Sequence, residues 1–421
     1  MNEIMIEGQR RLEGSLAVQG AKNSVLPVLA ASLLHPGVSI MHGCPHLSDV
    51  DTATRILRHL GCDVRRDGDT LKVDASVLQR CDIPDHLMRE MRSSVIFLGA
   101  ILARLGKAEL SYPGGCELGP RPIDLHVGAL RSLGAEIRET AGTLHCEASQ
   151  LTGREITLSL PSVGATENVL LAACGAEGET VILNAAREPE IVDLQAYLRA
   201  IGCAVQGAGT STITVLGQQP THDAAHTIMP DRIVASTYLA AAAAAGGEIE
   251  LTHVEPRHIS TVTSALREAG CNIISEADRM ILRSSGRLQA IRPVRTAPYP
   301  GFPTDAQAIL MAALLESNGA SVFVENIFEN RYRHVDELRR MGAEISVADR
   351  VAVVTGVRQL HGAHVRCTDL RGGAALLVAA QAAQGETVIG DTHHIRRGYE
   401  DPVRDLRTLG AQITWANRPG T

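Results

Sequence analysis

A cysteine stands inside a glycine- and proline-rich stretch, YPGGCELGPRPIDLH, at residues 112–126. A nucleophilic or acidic thiol needs access to its reaction partner and a positive neighbourhood that tunes its pKa. Gly114 and Gly115 allow a tight backbone turn before Cys116, and Arg121 supplies a positive charge within the same stretch. This setting makes Cys116 a candidate acid or nucleophile, although the stretch alone does not decide between that role and simple packing.

Three further motifs place polar side chains where a helix is predicted to begin. AKNS carries Lys22 and Asn23, SVGATEN begins at Ser162, and TDAQA carries Asp305. The first N–H groups of a helix have no partner within the helix, so a helix N-terminus attracts anions. These motifs therefore favour anion binding. At the last of them, capping of the helix by Thr304 or Asp305 is the structural alternative.

Composition limits the classes to which the chain can belong. Of its 421 residues, 45% are hydrophobic and 21% are charged, as in a globular protein of two or three domains. No apolar run reaches the roughly 18 to 20 residues of a membrane span. The start MNEIMIEGQR lacks the features of a secretory signal. We therefore expect a cytoplasmic protein that does not insert into membranes.

Cysteine spacing and net charge exclude further classes. The nine cysteines form neither a CxxC pair nor a tight cluster with histidine, which argues against a disulfide framework and against a zinc site. The net charge of −7 argues against nucleic-acid binding, but a few arginines can still form a local pocket for an acidic small molecule.

A repeated phrase organises the whole chain. It reads as the end of an amphipathic helix followed by a glycine, and it occurs as RHLGCDV, RSLGAEI, RAIGCAV, REAGCNI, RRMGAEI and RTLGAQI. The glycines lie roughly 70 residues apart, at Gly61, Gly134, Gly202, Gly270, Gly342 and Gly410. Each suits the left-handed position that ends a helix, and a short strand is predicted to follow it. Cys62, Cys203 and Cys271 come directly after such glycines and are predicted to be small core residues.

Most repeats also contain an Ala/Leu-rich helix before a Gly-Glu and a strand, as in LLVAAQAAQGETVI. Such a helix is apolar on most sides and is therefore expected to be buried. The predicted fold class is α/β, a two-lobed inside-out α/β barrel with helices inside, sheets outside and three βαβαββ-type units per lobe. We expect residues 22–229 to form one lobe and residues 1–21 plus 230–421 to form the other, which the N-terminal strand completes.

Longer motifs follow one another in a characteristic order: GAKNSVLP, GGCELGPRP, SVGATEN, PDRI, FPTDAQA, FENRYRHVDELRRMGA, TDLRGGAAL and HHIRRGYED. Together with the six repeats, they resemble the UDP-N-acetylglucosamine 1-carboxyvinyltransferases of the enolpyruvyl transferase family, from about residue 3 to residue 415. The resemblance implies the two-lobed fold described above.

The resemblance also implies a reaction. The enolpyruvyl group of phosphoenolpyruvate moves to the 3′-hydroxyl of UDP-N-acetylglucosamine, and phosphate leaves, in the first committed step of peptidoglycan synthesis. Addition and elimination need a base for the hydroxyl, an acid for the methylene carbon, and cations for a phosphate and a carboxylate. This chemistry requires neither a cofactor nor a metal. The expected partners are the two substrates, and the oligomeric state stays open.

The resemblance assigns roles to the chemical residues. Cys116, on a mobile loop near residues 112–122, matches the acid that fosfomycin alkylates, and Asp305 matches the base. Phosphoenolpyruvate would contact Lys22, Asn23, Arg121 and Arg397, of which Lys22 and Arg397 also count as catalytic. UDP-N-acetylglucosamine would contact Arg92, Arg121, Pro122, Ile123, Asp124, Leu125, Ser162, Val163, Gly164, Asp305 and Ile327. Arg92 would stack on the uracil. Supporting residues would be Arg331, Asp369 and Arg371.

The chain departs from the usual pattern of these enzymes at three places. Leu160-Pro161 precede the SVG motif where a lysine is common, Val234 follows PDRI where glutamate is usual, and Gly372-Gly373 stand where many members have Ala-Ser or Ala-Gly. These departures concern nucleotide affinity and loop details. Two alternatives stay open: a non-catalytic paralogue that binds UDP-sugars, and another enolpyruvyl transferase such as 5-enolpyruvylshikimate-3-phosphate synthase.

Overall fold

Short strands and helices alternate along residues 2–111 and 123–417, the part of the chain that the computed structural model describes. The strands there are β1 (Asn2–Glu7), β2 (Leu12–Ala17), β3 (Val38–His42), β4 (Asp63–Asp67), β5 (Thr70–Asp74), β6 (Asp82–Ile83), β7 (Lys107–Ser111), β8 (Glu136–Thr140), β9 (Thr143–Glu147), β10 (Glu155–Thr157), β11 (Glu179–Leu183), β12 (Ala204–Gln206), β13 (Thr212–Leu216), β14 (Ala224–Thr227), β15 (Gly247–Thr252), β16 (Asn272–Ser275), β17 (Arg279–Ser284), β18 (Val294–Arg295), β19 (Ala320–Val324), β20 (Glu344–Ala348), β21 (Val351–Thr355), β22 (His364–Arg366), β23 (Glu386–Gly390) and β24 (Gln412–Asn417).

The α-helices of the same residues are α1 (Lys22–Ala31), α2 (Ser48–Leu60), α3 (Asp85–Glu90), α4 (Phe97–Leu105), α5 (Asp124–Ser132), α6 (Val163–Gly175), α7 (Pro189–Ala200), α8 (Arg232–Ala245), α9 (Ser260–Glu268), α10 (Thr304–Ala313), α11 (Val335–Arg340), α12 (Leu370–Ala382) and α13 (Pro402–Thr408). Short 3-10 helices span Ser32–Leu34, Arg92–Ile96, Pro256–Ile259 and Ile395–Arg397. None of these helices is both long enough and apolar enough to cross a membrane.

The repeat glycines end their helices as the sequence predicts. All six have positive φ, from 89° at Gly410 to 115° at Gly61. A residue with a Cβ rarely adopts this conformation, so glycine ends each helix and allows the next strand to begin at once. Cys62, Cys203 and Cys271, which follow three of these glycines, are buried, and their predicted role as core residues is confirmed.

The chain forms two units. The terminal unit contains the described residues 2–19 and 230–417, and the central unit contains the described residues 20–111 and 123–229. Within the described residues, the chain therefore passes between the units twice, after residue 19 and after residue 229. Strand β1 pairs with β23 and β24, and β2 runs parallel to β15, so the first two strands belong to sheets of the terminal unit.

Each unit carries three four-stranded sheets. In the terminal unit their strand orders are β22-β23-β1-β24, β16-β17-β15-β2 and β18-β19-β21-β20. In the central unit they are β14-β3-β5-β4, β6-β7-β9-β8 and β10-β11-β13-β12. Each sheet contains one parallel pair of strands, and its other neighbouring strands are antiparallel.

The Ala-rich helices form the interior of each unit. Helices α8, α10 and α12 pack on one another in the terminal unit, and α1, α4 and α6 pack together in the central unit. Nearly every residue of α8 and α12 is buried, because alanine lets helices approach closely on all sides. The predicted α/β class with helices inside and sheets outside is confirmed. Within the described residues the six sheets stay separate, and none closes into a barrel.

Candidate active site

Asp305 lies between two buried arginines in the terminal unit. It is the second residue of α10, and its Oδ1 and Oδ2 accept hydrogen bonds from Arg331 at 2.7 Å and Arg371 at 2.9 Å. The arginine side chains are 2% and 6% exposed, whereas that of Asp305 is 28% exposed. The carboxylate is therefore fixed from behind by two guanidinium groups and keeps one face open.

The charges of this trio shift the pKa of two of its members. Burial alone would raise the pKa of Asp305, but the guanidinium groups of Arg371 and Arg331 outweigh it and hold that pKa well below its usual range. Burial alone would lower the pKa of Arg371, yet Asp305 beside it leaves the pKa above its ordinary value. Asp305 and Arg371 are therefore both charged at neutral pH, and Asp305 is a strong hydrogen-bond acceptor but a weak base.

The start of α10 is not capped by its own side chains. The residue before the helix is Pro303, and neither Thr304 nor Asp305 accepts a capping hydrogen bond. The capping alternative is therefore wrong, since other partners take both side chains. The Thr304 hydroxyl donates to Glu325 Oε2 at 3.0 Å, and the Asp305 carboxylate is held by the arginines.

Glu325 is a residue that sequence reasoning missed. It is 1% exposed, and its Oε1 accepts from the backbone N–H groups of Ile327 at 2.8 Å and Phe328 at 3.0 Å. Glu325 thereby ties the turn that carries Ile327 to Thr304, next to Asp305. The alternation of strand β19 continues to this position, because Ser321 and Phe323 are buried. In the sequence, Glu325 continues the every-second-residue pattern of the buried face of β19, and this pattern indicates a buried carboxylate.

Asp369 sets the start of α12. Its Oδ1 accepts from the backbone N–H groups of Arg371 at 2.9 Å and Gly372 at 3.0 Å, so the cap fixes Arg371 in the first turn. Burial alone would raise the pKa of Asp369, but these amide hydrogen bonds and Arg331 hold it below its usual value. The three predicted supporting residues, Arg331, Asp369 and Arg371, therefore lie together around Asp305.

The Gly372-Gly373 departure has a steric reason in this structure. A Cβ on Gly372 would stand 2.7 Å from Thr368 Oγ1, and a Cβ on Gly373 would stand 2.8 Å from Ile395 Cγ1. Ile395 begins the 3-10 helix that ends at Arg397, and Gly373 lets this helix approach α12. The Arg397 segment thus rests on the helix whose first turn supplies Arg371.

Lys22 begins the α1 helix of the central unit, as predicted, and Asn23 follows it. Its Nζ lies 2.8 Å from Asp49 Oδ2, and the two side chains are 12% and 3% exposed. Asp49 stands in the first turn of α2. Sequence reasoning missed this residue, because an acid in a first helical turn is common on electrostatic grounds alone.

The predicted nucleotide motifs of the central unit meet at one buried amide. Asn168 of α6 is fully buried, and its Nδ2 donates to Val95 O at 2.9 Å and to His126 Nδ1 at 2.7 Å. Its Oδ1 accepts from the Gly99 N–H at 2.7 Å. One side chain therefore joins α6 to three other elements: the 3-10 helix that begins at Arg92, the α4 helix and the α5 helix.

The surroundings of Asn168 are neutral and tightly packed. Burial lowers the pKa of His126 from its ordinary value of 6.5 to about 4, so the ring is neutral and can accept at Nδ1. A Cβ on Gly164 would stand 3.0 Å from His126 Cε1, which leaves little space for any larger residue. Ser162 caps α6 by accepting from the Ala165 N–H at 3.3 Å. The predicted helix start at SVGATEN is confirmed.

Several predicted contacts therefore lie close to one another. Ile123, Asp124 and Leu125 stand at the start of α5, and Ser162, Val163 and Gly164 stand at the start of α6. Cys116, Arg121 and Pro122 lie outside the described residues, as does the whole of the stretch 112–122.

The other two departures from the usual pattern of these enzymes, at Leu160-Pro161 and at Val234, lie in different environments. Leu160, before the SVG motif, is 65% exposed, and Pro161 follows it at the start of the turn. Val234 is fully buried in the core of the terminal unit, and its backbone N–H donates to Asp231 Oδ1. Within residues 2–111 and 123–417, no group of three or more His, Cys, Asp or Glu side chains is placed to hold a metal ion.

Comparison with known sequences gives matches along almost the whole chain. The family model described as EPSP synthase (3-phosphoshikimate 1-carboxyvinyltransferase) matches residues 6–406. UDP-N-acetylglucosamine 1-carboxyvinyltransferase 2 of Caldanaerobacter subterraneus subsp. tengcongensis is 48% identical, over 98% of this chain and 99% of its own. UDP-N-acetylglucosamine 1-carboxyvinyltransferase 1 of Symbiobacterium thermophilum is also 48% identical, over 97% of this chain and 94% of its own.

Solved structures share the fold. The enolpyruvyl transferase NikO from Streptomyces tendae superposes with a TM-score of 0.89 and 27% identity, over 99% of both chains. The EPSP synthase from Acinetobacter baumannii superposes with a TM-score of 0.76 over 99% of this chain, and at 18% identity it supports the fold alone.

Proposed function

The chain belongs to the EPSP synthase family of enolpyruvyl transferases, and from this premise we propose that it transfers enolpyruvyl from phosphoenolpyruvate to the 3′-hydroxyl of UDP-N-acetylglucosamine. The reaction releases phosphate and is the first committed step of peptidoglycan synthesis. The observation that carries the proposal is the 48% identity, over 98% of the chain, to a relative named UDP-N-acetylglucosamine 1-carboxyvinyltransferase. The fixed carboxylate of Asp305 with one open face supports it.

The reaction runs through an addition and an elimination. The oxygen of the 3′-hydroxyl bonds to C2 of phosphoenolpyruvate while its proton passes to Asp305, and Cys116 delivers a proton to C3. In the second step the bond between C2 and the phosphate oxygen breaks, and the leaving phosphate takes up the proton held by Asp305. C3 returns a proton to the Cys116 thiolate, which restores the double bond. Phosphate leaves, and enolpyruvyl-UDP-N-acetylglucosamine remains.

The ion pairs of Asp305 fit this role when a substrate brings negative charge to the open face of the carboxylate. Two guanidinium groups stabilise the ionised carboxylate, and a carboxylate with so low a pKa is a weak base. Phosphoenolpyruvate brings a phosphate and a carboxylate, and like charges near an acid disfavour its ionised form. Bound phosphoenolpyruvate therefore raises the pKa of Asp305 toward the range of a working general base.

The remaining candidate residues bind the two substrates. Lys22 and Asn23 at the start of α1, with Arg121 and Arg397, hold the anionic groups of phosphoenolpyruvate. The starts of α5 and α6 offer backbone N–H groups to the nucleotide, and Asn168 fixes their spacing. Arg92 stacks on the uracil, and Ile327 contacts the sugar nucleotide.

Phosphate release from phosphoenolpyruvate, measured with different acceptors, tests the proposal. We expect release with UDP-N-acetylglucosamine and a product that is heavier by one enolpyruvyl group. Release with shikimate 3-phosphate alone would assign the chain to the other reaction of its family. Binding of UDP-N-acetylglucosamine without any release would identify a non-catalytic paralogue.

Cys116 has its own test. Fosfomycin should alkylate this cysteine before any of the other eight, and UDP-N-acetylglucosamine should accelerate the labelling. Cys44 and Cys62 offer poor competition, because burial raises the pKa of each thiol to about 12. Peptide mass mapping identifies the labelled residue, and a label on another cysteine would refute the assignment.

A further inference from the structure

Gln19 is the last residue of the terminal unit before the chain enters the central unit. Its side-chain amide makes two hydrogen bonds to a single distant segment. Nε2 donates to Gly398 O at 3.2 Å, and Oε1 accepts from the Glu400 N–H at 2.9 Å. The amide therefore holds the backbone on both sides of Tyr399, and both its donor and its acceptor are used.

This segment also contains Arg397, directly before Gly398. Its other contacts hold it from different sides. A Cβ on Gly398 would stand 2.9 Å from Leu370 Cδ2 at the start of α12, and the guanidinium of Arg396 lies 4.9 Å from the centre of the Trp415 ring. The Gln19 amide thus adds two hydrogen bonds to the contacts that fix the backbone bearing Arg397.

The second passage of the chain between the units also meets Gln19. Its backbone oxygen accepts from the Asp231 N–H at 2.9 Å, and Asp231 caps α8 just after the chain re-enters the terminal unit. Tyr399, which is fully buried, makes a 2.7 Å hydrogen bond with Thr237 of α8. Gln19 therefore touches both chain passages with its main chain and the Arg397 segment with its side chain.

We propose that Gln19 is a positioning residue for Arg397, and that its amide couples the two chain passages to the placement of this guanidinium. The inference rests on the proposed function, in which Arg397 binds the anionic donor. A displacement of residue 19 pulls on Gly398 O and on the Glu400 N–H together, so the intervening turn moves as a unit. Only an amide serves both bonds, since a carboxylate cannot donate and a thioether does neither.

The test compares Gln19→Met with Gln19→Glu. Methionine keeps the size of the side chain and loses both hydrogen bonds, whereas glutamate keeps the acceptor for the Glu400 N–H and loses the donor. We expect kcat/KM for phosphoenolpyruvate to fall about 10-fold in Gln19→Met and less in Gln19→Glu, as expected for the loss of two hydrogen bonds or one. The Kd for UDP-N-acetylglucosamine should stay within about twofold, because residue 19 positions the donor site.

A double-mutant cycle separates positioning from general structural support. In an Arg397→Ala background, Gln19→Met should reduce kcat/KM for phosphoenolpyruvate by less than about twofold, since the group that it positions is gone. An equal loss in both backgrounds would overturn the inference. Gln19→Glu carries the same cycle if Gln19→Met fails to fold.

Gln412→Met is the matched control. Gln412 is an exposed amide of the same unit that bonds Glu7 and Arg10, and its replacement should leave kcat/KM unchanged. If the parent protein releases no phosphate with UDP-N-acetylglucosamine, the proposed function fails. If the parent is active and Gln19→Met behaves like Gln412→Met, the proposed function stands and the role of Gln19 is refuted.

Discussion

The two units hold their candidate residues by opposite means. In the terminal unit, Asp305 is fixed by charge, through ion pairs with two arginines that are almost fully buried. In the central unit, Asn168 joins three elements through neutral hydrogen bonds, and one partner is a histidine that burial keeps uncharged.

The difference follows from what each site must do in the proposed reaction. A carboxylate that takes a proton needs its ionisation controlled, and nearby guanidinium groups together with the charge of an anionic substrate provide that control. Elements that bind a nucleotide through backbone N–H groups need fixed spacing instead. A buried amide with every group satisfied provides such spacing at little electrostatic cost.

The largest expected effect is on the charged side of the comparison. Asp305→Ala should lower kcat by about 10² to 10⁴, since a general base commonly contributes that much. Binding of UDP-N-acetylglucosamine, measured by calorimetry, should weaken far less, because the lost interaction acts on the transition state. The matched control is Asp336→Ala, an exposed acid of the same unit that pairs with Arg339. A kcat within about threefold of the parent would remove Asp305 from the proposed mechanism.

In the central unit, replacing Asn168 should reduce the stability of the fold rather than the rate of the chemical step. Asn168→Leu leaves Val95 O, the Gly99 N–H and His126 Nδ1 buried without their partner. Each such group costs about 1–3 kcal/mol, so we expect a loss of about 3 kcal/mol or more in the free energy of unfolding. Urea unfolding followed by circular dichroism measures it, with Gln150→Leu, an exposed amide of the same unit, as the control. An unchanged unfolding midpoint would show that the amide does not hold these elements together.

The charge state of His126 makes the stability of the central unit depend on pH. Its pKa is lowered from 6.5 to about 4 in the folded chain, so between these values the unfolded chain binds more protons. Stability therefore falls as the pH falls from 6.5 to 4, by up to about 3 kcal/mol from this group. The ion pairs of Asp305 persist through that window, because its pKa lies below it.

His126→Gln isolates this contribution. Glutamine can still accept from Asn168, but it does not titrate, so the variant should lose less stability than the parent between pH 6.5 and pH 4. Urea unfolding at both pH values, followed by circular dichroism, gives the two slopes. Parallel pH dependence of the variant and the parent would contradict a neutral buried His126.

The sequence predicted the parts of this molecule that local patterns determine. Glycines spaced by about 70 residues marked the helix ends, and Ala-rich runs marked the inner helices, because backbone conformation and burial leave periodic traces. The starts of α1, α6 and α10 were also recognised, together with the residues that stand there. The role of Cys116 stays a prediction from the sequence.

The residues that hold the site in place escaped prediction because their partners are distant in the chain. Asn168 bonds Val95, Glu325 bonds Thr304, and Gln19 bonds Gly398, so no local spacing reveals these pairs. The capping alternative at α10 failed for the same reason, since arginines far along the chain take the carboxylate of Asp305. Tertiary partners override a local preference when they satisfy the same group more strongly.

The smallest expected effect tests whether charge is needed throughout the terminal unit. Glu325→Gln keeps an oxygen for the Ile327 and Phe328 N–H groups and replaces the acceptor of the Thr304 hydroxyl with a donor. Hydrogen bonds to a carboxylate are roughly twice as strong as neutral ones, so the turn should loosen by about 1 kcal/mol. We expect the KM for UDP-N-acetylglucosamine to rise about fivefold with kcat nearly unchanged, because Ile327 is a proposed contact of that substrate. Steady-state kinetics of Glu325→Gln and Glu325→Ala test this prediction. If the alanine variant is impaired and the glutamine variant equals the parent, the shape of the side chain rather than its charge holds this turn. The contrast between the two units then applies only to Asp305 and its arginines.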